Sequence, residues 1–181
     1  MNKPLDRTEK STLAAVAAAC KRHLADSASG PLLAAVELQP ILENWDHYKA
    51  AADNVTPNQW LSQAICGNAA GRTRGTWARF FGERYEAVTL LGRESIRMFH
   101  HELAVWLVGQ LGHGRISDIE WARVKKELAV RAKERGVPLS LPEGRRQVHA
   151  LLKWKSAPRV HVCTRCQELE ARLRENGMSA E

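Results

Sequence analysis

The residues best suited to chemistry stand close together near the C-terminal end of the sequence. His161, Cys163 and Cys166 place one imidazole and two thiols within six residues. Two cysteines separated by two residues form one half of a typical structural zinc site, because the turn between them brings both thiolates to one metal. A helix predicted from about 165 to 176 would point its N-terminus at that turn. The spacing predicts a zinc site, with unmetallated thiols and redox use as alternatives.

A structural zinc needs four ligands, and the sequence holds no second Cys-x-x-Cys pair to complete the set. His149, on the helix before the turn, is the first candidate for the missing ligand. Cys66, His100 and His101 are further candidates, and a second copy of the chain is another. A thioredoxin-like redox motif would need a β-α-β context, which the sequence lacks. We therefore expect one structural zinc that ties the terminal helix to the region before it.

Positive charge is concentrated in the second half of the chain. The 181 residues carry 27 Lys and Arg against 20 Asp and Glu, a net charge of +7. Residues 1–66 have a net charge of −1, whereas residues 115–166 alone contain 13 basic and five acidic residues. Such clustering favours a polyanionic partner, with nucleic acid first and an anionic membrane surface second. A solvated surface tuned for solubility is the alternative.

We predict that cations from several segments bind phosphate groups. The loop at 67–75 interleaves glycine with arginine and can present amides and guanidinium groups to an anion, helped by Arg79 and Arg84 on the next helix. The helices predicted at 118–135 and 142–156 carry most of the remaining basic residues. The predicted nucleic-acid-binding residues are Arg72, Arg74, Arg79, Arg123, Lys126, Lys133, Arg145, Arg146, Lys153, Lys155 and Arg159.

The two basic helices also suggest a helix-turn-helix hypothesis. In this arrangement the helix at 118–135 is the support, residues 137–141 form the turn, and the next helix enters the major groove with Arg145 and Arg146. Residues 159–162 would act as a wing. The turn lacks a diagnostic glycine and the first helix is long for this motif, so two ordinary packed helices with solvated cations are the alternative.

The spacing of apolar residues is helical along nearly the whole chain, and the strict alternation typical of strands is rare. We therefore expect an all-α multi-helix bundle of about seven or eight helices. One short extended segment is predicted near 159–163. A mildly acidic half at 1–70, a basic half at 71–160 and the Cys-x-x-Cys turn with its helix at 161–181 should form one compact unit.

Proline and capping residues set the expected helix boundaries. Ser117 and Glu120 form a capping box that predicts a helix from 118 to about 135. Pro40 and Pro57 are each expected to begin a helix, because proline suits the first helical turn. Another helix is predicted from about 94 to 111.

Several classes of protein are disfavoured. The longest apolar run, 103–108, is far too short to span a bilayer. The first residues lack the pattern of a secretory signal, so we expect a reducing, cytoplasmic setting for the four cysteines. No nucleophile elbow, dinucleotide fingerprint or paired-carboxylate site stands out.

We expect a non-enzymatic nucleic-acid-binding protein, either a regulator or a helical subunit of a nucleoprotein complex, with other protein subunits or a second copy as further partners. The alternative function is a protein–protein adaptor or inhibitor that docks through a zinc-stabilised C-terminal element.

The purified protein is predicted to contain about one zinc per chain, which the Cys163→Ser variant should lose because its tetrahedral site is incomplete. Elemental analysis of both proteins by mass spectrometry checks this. About half a zinc per chain would indicate a site shared across a dimer. Absence of zinc from the wild-type protein would contradict the prediction.

Overall fold

A computed structural model describes residues 7–26, 28–67 and 76–154 of the chain. The predicted all-α fold is confirmed for these residues, whose only β-type pairing is an isolated bridge. A π-helical segment, Leu61–Cys66, continues the fourth helix, and a 3₁₀ segment, Arg93–Met98, follows the fifth. The α-helices of the described residues are α1 (Arg7–Leu24), α2 (Gly30–Glu43), α3 (Trp45–Tyr48), α4 (Pro57–Trp60), α5 (Trp77–Leu91), α6 (His101–Gly112), α7 (Asp118–Arg135) and α8 (Leu141–Leu151).

Buried apolar side chains form two clusters that share two helices. Leu38 of α2 and Phe81 of α5 belong to a cluster built with α1, α4 and the π-helical segment. Leu32 of α2 and Val88 of α5 belong to a second cluster, which continues through α6, α7 and α8. Because α2 and α5 contribute to both clusters, they hold the N-terminal helices against the helices that carry most of the positive charge.

Pro40 lies inside a helix, where the sequence predicted a helix start. α2 runs through it without interruption, although proline removes one backbone donor. Leu38 and Ile41 are buried on either side of the proline, so packing of the apolar face outweighs the lost hydrogen bond. The helix ends at Glu43, and the side chain of the next residue, Asn44, donates to the Pro40 carbonyl at 2.9 Å.

The helix predicted at 94–111 is divided in two by an extended residue. Phe99 forms a parallel bridge with Leu139, in the connection between α7 and α8. The Leu139 amide donates to the Met98 carbonyl and the His100 amide donates to the Leu139 carbonyl, each at 2.9 Å. Phe99 and Leu139 are both buried, so this bridge fastens the α7–α8 connection to the start of α6 inside the core.

Predicted capping residues define the start of α7. The Glu120 amide donates to Ser117 Oγ at 3.4 Å, and the Ser117 amide donates to Glu120 Oε2 at 2.9 Å. These bonds from Ser117 hold the pKa of the Glu120 carboxyl below its usual value. Gly136 ends α7 in the left-handed conformation with φ of 67°, which glycine adopts without strain. The predicted boundaries of this helix are therefore confirmed.

α8 lies on α6 at a glycine. Gly144 is buried, and a Cβ atom at this position would overlap the side chain of Leu103, which is itself fully buried. The absence of a side chain lets the backbone of α8 approach α6 closely. This contact and the buried Val148 set the depth at which α8 sits on the core.

Gly144→Ala is expected to lower the free energy of unfolding by about 1–3 kcal/mol, because Leu103 must leave its rotamer to admit the new methyl group. Gly82→Ala on α5 is the matched control, since no atom lies within 4 Å of a Cβ built there. Alanine at 82 should raise the free energy of unfolding by about 0.5–1 kcal/mol. Urea unfolding measures both values, and stabilisation by both variants would contradict the close contact of α8 with Leu103.

Candidate nucleic-acid interface

α7 and α8 form an antiparallel helical hairpin. Arg135, at the end of α7, forms an ion pair with Glu143 in the first turn of α8. At the other end of the pair, Arg123 donates to the Leu151 carbonyl at 3.0 Å. The Glu143 carboxylate also accepts from the Ser140 hydroxyl at 2.7 Å, so one acidic group secures both the connection and the hairpin.

This hairpin does not have the geometry that the helix-turn-helix hypothesis requires. Helices of that motif cross at about 90–120°. Arg123 lies about 18 Å along α7 from its C-terminal end, so a perpendicular α8 would carry Leu151 far beyond the reach of an arginine side chain. The contacts at both ends of the pair instead hold α8 alongside α7.

The side of α7 that faces away from the core carries cations and exposed apolar residues. Val124, Leu128 and Ala132 are buried on the core side. Positions with alternating spacings of four and three residues lie together on the opposite side of the helix. Ile119 is 88% exposed and Val130 is 42% exposed. We call this set the α7 stripe; its residues, all exposed, are Ile119, Arg123, Lys126, Val130 and Lys133.

No acidic residue belongs to the α7 stripe. Glu127 and Glu134 lie on one flank of α7, together with Arg131, which pairs with Glu134 at 3.3 Å. Lys126 and Lys133 have no hydrogen-bond or ion-pair partner among the described residues. Lys126 and Lys133 therefore present positive charge that the described part of the fold does not neutralise.

An open groove of about 200 Å³ lies beside the C-terminal end of α7. Arg97, from the 3₁₀ segment, and Lys133, from the stripe, are its two charged lining residues. Arg97 is exposed and also lacks a partner within the described residues. Sequence reasoning missed Arg97, because it precedes the basic tract and reaches Lys133 only through the folding of the 3₁₀ segment against α7. The remaining lining residues are Met98, Ala132, Gly136, Val137 and Pro138.

The cations on α8 and in the turn after it differ in whether they already contact other residues. The Arg145 guanidinium lies 5.4 Å from the centre of the Trp106 ring, a cation–π distance. Trp106 in turn meets Trp154 edge-on, with 6.4 Å between ring centres. Arg146 and Lys153 are exposed and have no partner in the described residues, so they add two available charges to the hairpin.

Not every arginine predicted to bind phosphate is available. Arg79 forms an ion pair with Glu83 at 2.9 Å on the surface of α5. Arg84 is buried: it donates to the Phe80 carbonyl at 2.8 Å and lies 3.0 Å from His101 Nδ1. Arg84 therefore holds α5 to the start of α6 and is wrongly predicted as a surface cation. Arg72, Arg74, Lys155 and Arg159 lie outside the described residues.

The predicted metal ligands are only partly covered by the structure. His161, Cys163 and Cys166 lie outside the described residues, as does the extended segment predicted near 159–163. His149 packs edge-on against Trp154, with 5.2 Å between ring centres. Within residues 7–26, 28–67 and 76–154, no group of three or more His, Cys, Asp or Glu side chains is placed to hold a metal ion. The zinc site stays a prediction.

The other candidate ligands of the zinc site already have local contacts. His100 caps α6 by accepting from the Glu102 amide at 3.3 Å. His101 Nδ1 lies 3.0 Å from the buried Arg84 guanidinium. Cys66, at the end of the π-helical segment, is half-buried. Elsewhere, Cys20 is a buried thiol, and burial raises its pKa to about 12.

Comparison of the chain with protein-family models, curated proteins and solved structures gave no match. Among the described helices, none combines the length and apolar character needed to cross a membrane. What the protein does must therefore be inferred from the chemistry of its own residues.

Arg123→Ala is expected to lower the free energy of unfolding by about 0.5–1 kcal/mol, because the last turn of α8 loses a charged donor to its carbonyl. Lys126→Ala removes a neighbouring cation of the same stripe and is the control. Its free energy of unfolding should stay within about 0.5 kcal/mol of the wild-type value. Urea unfolding separates the two. Equal stability of both variants would show that Arg123 does not support α8.

Proposed function

We propose that the protein binds nucleic acid, without catalysing a reaction, through the exposed surface of the α7–α8 hairpin. The observation that carries this proposal is the α7 stripe, where Arg123, Lys126 and Lys133 lie together with no acidic residue among them. Arg97 extends the same surface across the groove to Lys133. A polyanion that contacts these side chains releases its condensed counterions, which supplies much of the free energy of binding.

The composition of the stripe argues against a role in solubility alone. Surfaces tuned for solubility mix charges of both signs and avoid exposed apolar side chains. The α7 stripe instead places Lys126 and Lys133 away from the glutamates of α7 and adds Ile119, at 88% exposure. Arg146, at the surface of α8, and Lys153, just after α8, enlarge the positive area. These features support a binding surface, with phosphates as the principal ligand.

The proposal extends to setting and assembly. We place the protein in the cytoplasm, as a regulator or as a helical subunit of a nucleoprotein complex, with other subunits or a second copy as further partners. A structural zinc at His161, Cys163 and Cys166, with His149 as fourth ligand, would stabilise the chain that follows α8. In this proposal the metal has a structural task and the cations of the hairpin bind the ligand.

A protein–protein adaptor is the second candidate function. The exposed apolar side chains Ile119, Val130 and Val137 favour it, because apolar contact drives most protein association. The two functions differ in their dependence on salt. Phosphate binding weakens steeply as salt rises, whereas apolar docking does not.

The Lys126→Ala/Lys133→Ala double variant is expected to bind a nucleic-acid duplex at least about tenfold more weakly than the wild type, with the slope of log affinity against log salt reduced by roughly two. Fluorescence anisotropy with a labelled duplex, between about 50 and 200 mM salt, measures both quantities.

The matched control is Lys10→Ala/Lys21→Ala, which removes the same charge from the exposed surface of α1. The control should bind like the wild type. The proposal fails if the wild type binds neither duplex nor single strand at low salt, if its binding ignores salt, or if the control loses as much affinity as the α7 variant.

A further inference from the structure

α7 offers one uninterrupted outward side. From Ile119 to Lys133 the stripe extends about 21 Å along the helix axis, at 1.5 Å per residue. Every stripe residue is exposed. A helix with its side chains is about 10–12 Å wide, which matches the roughly 12 Å width of the major groove in B-form DNA.

The two lysines and the two apolar side chains occupy different lines along this outward side. Taking Ile119 as the centre, Lys126 and Lys133 lie about 20–40° to one side of it, and Val130 and Arg123 lie about 20–40° to the other. Arg97 lines the same groove as Lys133, together with Ala132 and Gly136, which lie farther round α7 on the lysine side. Lys126, Lys133 and Arg97 therefore form one positive edge, while Ile119 and Val130 occupy the middle of the stripe.

The apolar residues in the middle of the stripe are better suited to contact base edges in the groove of a duplex than to stack on the bases of a single strand. Single strands are bound by aromatic platforms, and the stripe carries no aromatic residue. Aliphatic side chains instead make contact with thymine methyl groups, which line the major groove. The major groove of double-stranded RNA is too deep and narrow to admit side chains in this way.

We infer that α7 lies in the major groove of duplex DNA, with Ile119 and Val130 toward the base edges and the edge formed by Lys126, Lys133 and Arg97 toward the phosphates of one strand. This inference rests on the proposed function and names its ligand. It also exchanges the roles of the two helices in the earlier hypothesis: α7 contacts the bases, and α8, held to α7 by Arg123 and Glu143, supports it.

Binding of the full-length protein to duplex DNA, single-stranded DNA and duplex RNA of one sequence tests the choice of ligand. At about 50 mM salt, duplex DNA should bind at least about tenfold more tightly than duplex RNA. Methyl green, which occupies the major groove, should displace the protein, whereas distamycin, which occupies the minor groove, should not.

Equal binding of duplex RNA, preference for the single strand, or displacement by distamycin alone would overturn the inference and leave nucleic-acid binding intact. Failure of all three nucleic acids to bind would overturn the proposed function itself.

The Ile119→Ala/Val130→Ala variant tests the role of the apolar line. Its affinity for duplex DNA should fall about fivefold or more with an unchanged salt slope, because the phosphate contacts remain. Its affinity for single-stranded DNA should not change. Thr89→Ala, which shortens an exposed β-branched residue on α5, is the control for the loss of such a side chain. Urea unfolding confirms that the variants are folded, and an unchanged preference for duplex DNA in the double variant would overturn the inference.

Discussion

The pairing of Phe99 with Leu139 is the contact on which the arrangement of the basic helices depends. It joins two segments 40 positions apart in the chain, and both of its side chains are buried in the second core cluster. An extended residue at 99 ends the 3₁₀ segment and lets α6 begin with His100 as its cap. The same pair stops the α7–α8 connection from moving away from the core. The outward direction of α7 and the position of Arg97 beside Lys133 both follow from this anchor.

The basic residues divide into those that build the fold and those that the described fold leaves available. Arg84 fixes α5 to α6 from within the core, and Arg135 joins the two helices of the hairpin. Lys126, Lys133 and Arg97 make no comparable contact among the described residues. The net charge of +7 therefore does not describe any one surface, because some of the arginines are used inside the fold. The α7 stripe stands out because two of its cations, Lys126 and Lys133, make no such contact within the described residues.

Local signals in the sequence predicted local structure well. The capping box at Ser117 and the glycine at 136 define α7, because each acts through hydrogen bonds within a few residues. Pro40 misled the prediction, since burial on both sides of it stabilises a helix that the proline alone would end. The bridge at Phe99 was not foreseen, because its partner is distant in sequence and short extended pairings leave no periodic pattern. The charged stripe was within reach of the sequence, as its spacing is helical, but Arg97 joins it only through tertiary packing.

The hydrogen bond from Arg123 to the end of α8 has a consequence for conformational entropy. A free arginine side chain loses roughly 2 kcal/mol of rotamer entropy when a ligand fixes it. In this fold the Leu151 carbonyl holds the guanidinium through one of its five N–H donors, and the residue is exposed, so the other donors stay accessible. Arg123 therefore loses much of this rotamer entropy on folding, whereas Lys126 and Lys133 would lose theirs only on binding the proposed ligand. The carboxyl end of α8 pre-organises one cation of the stripe.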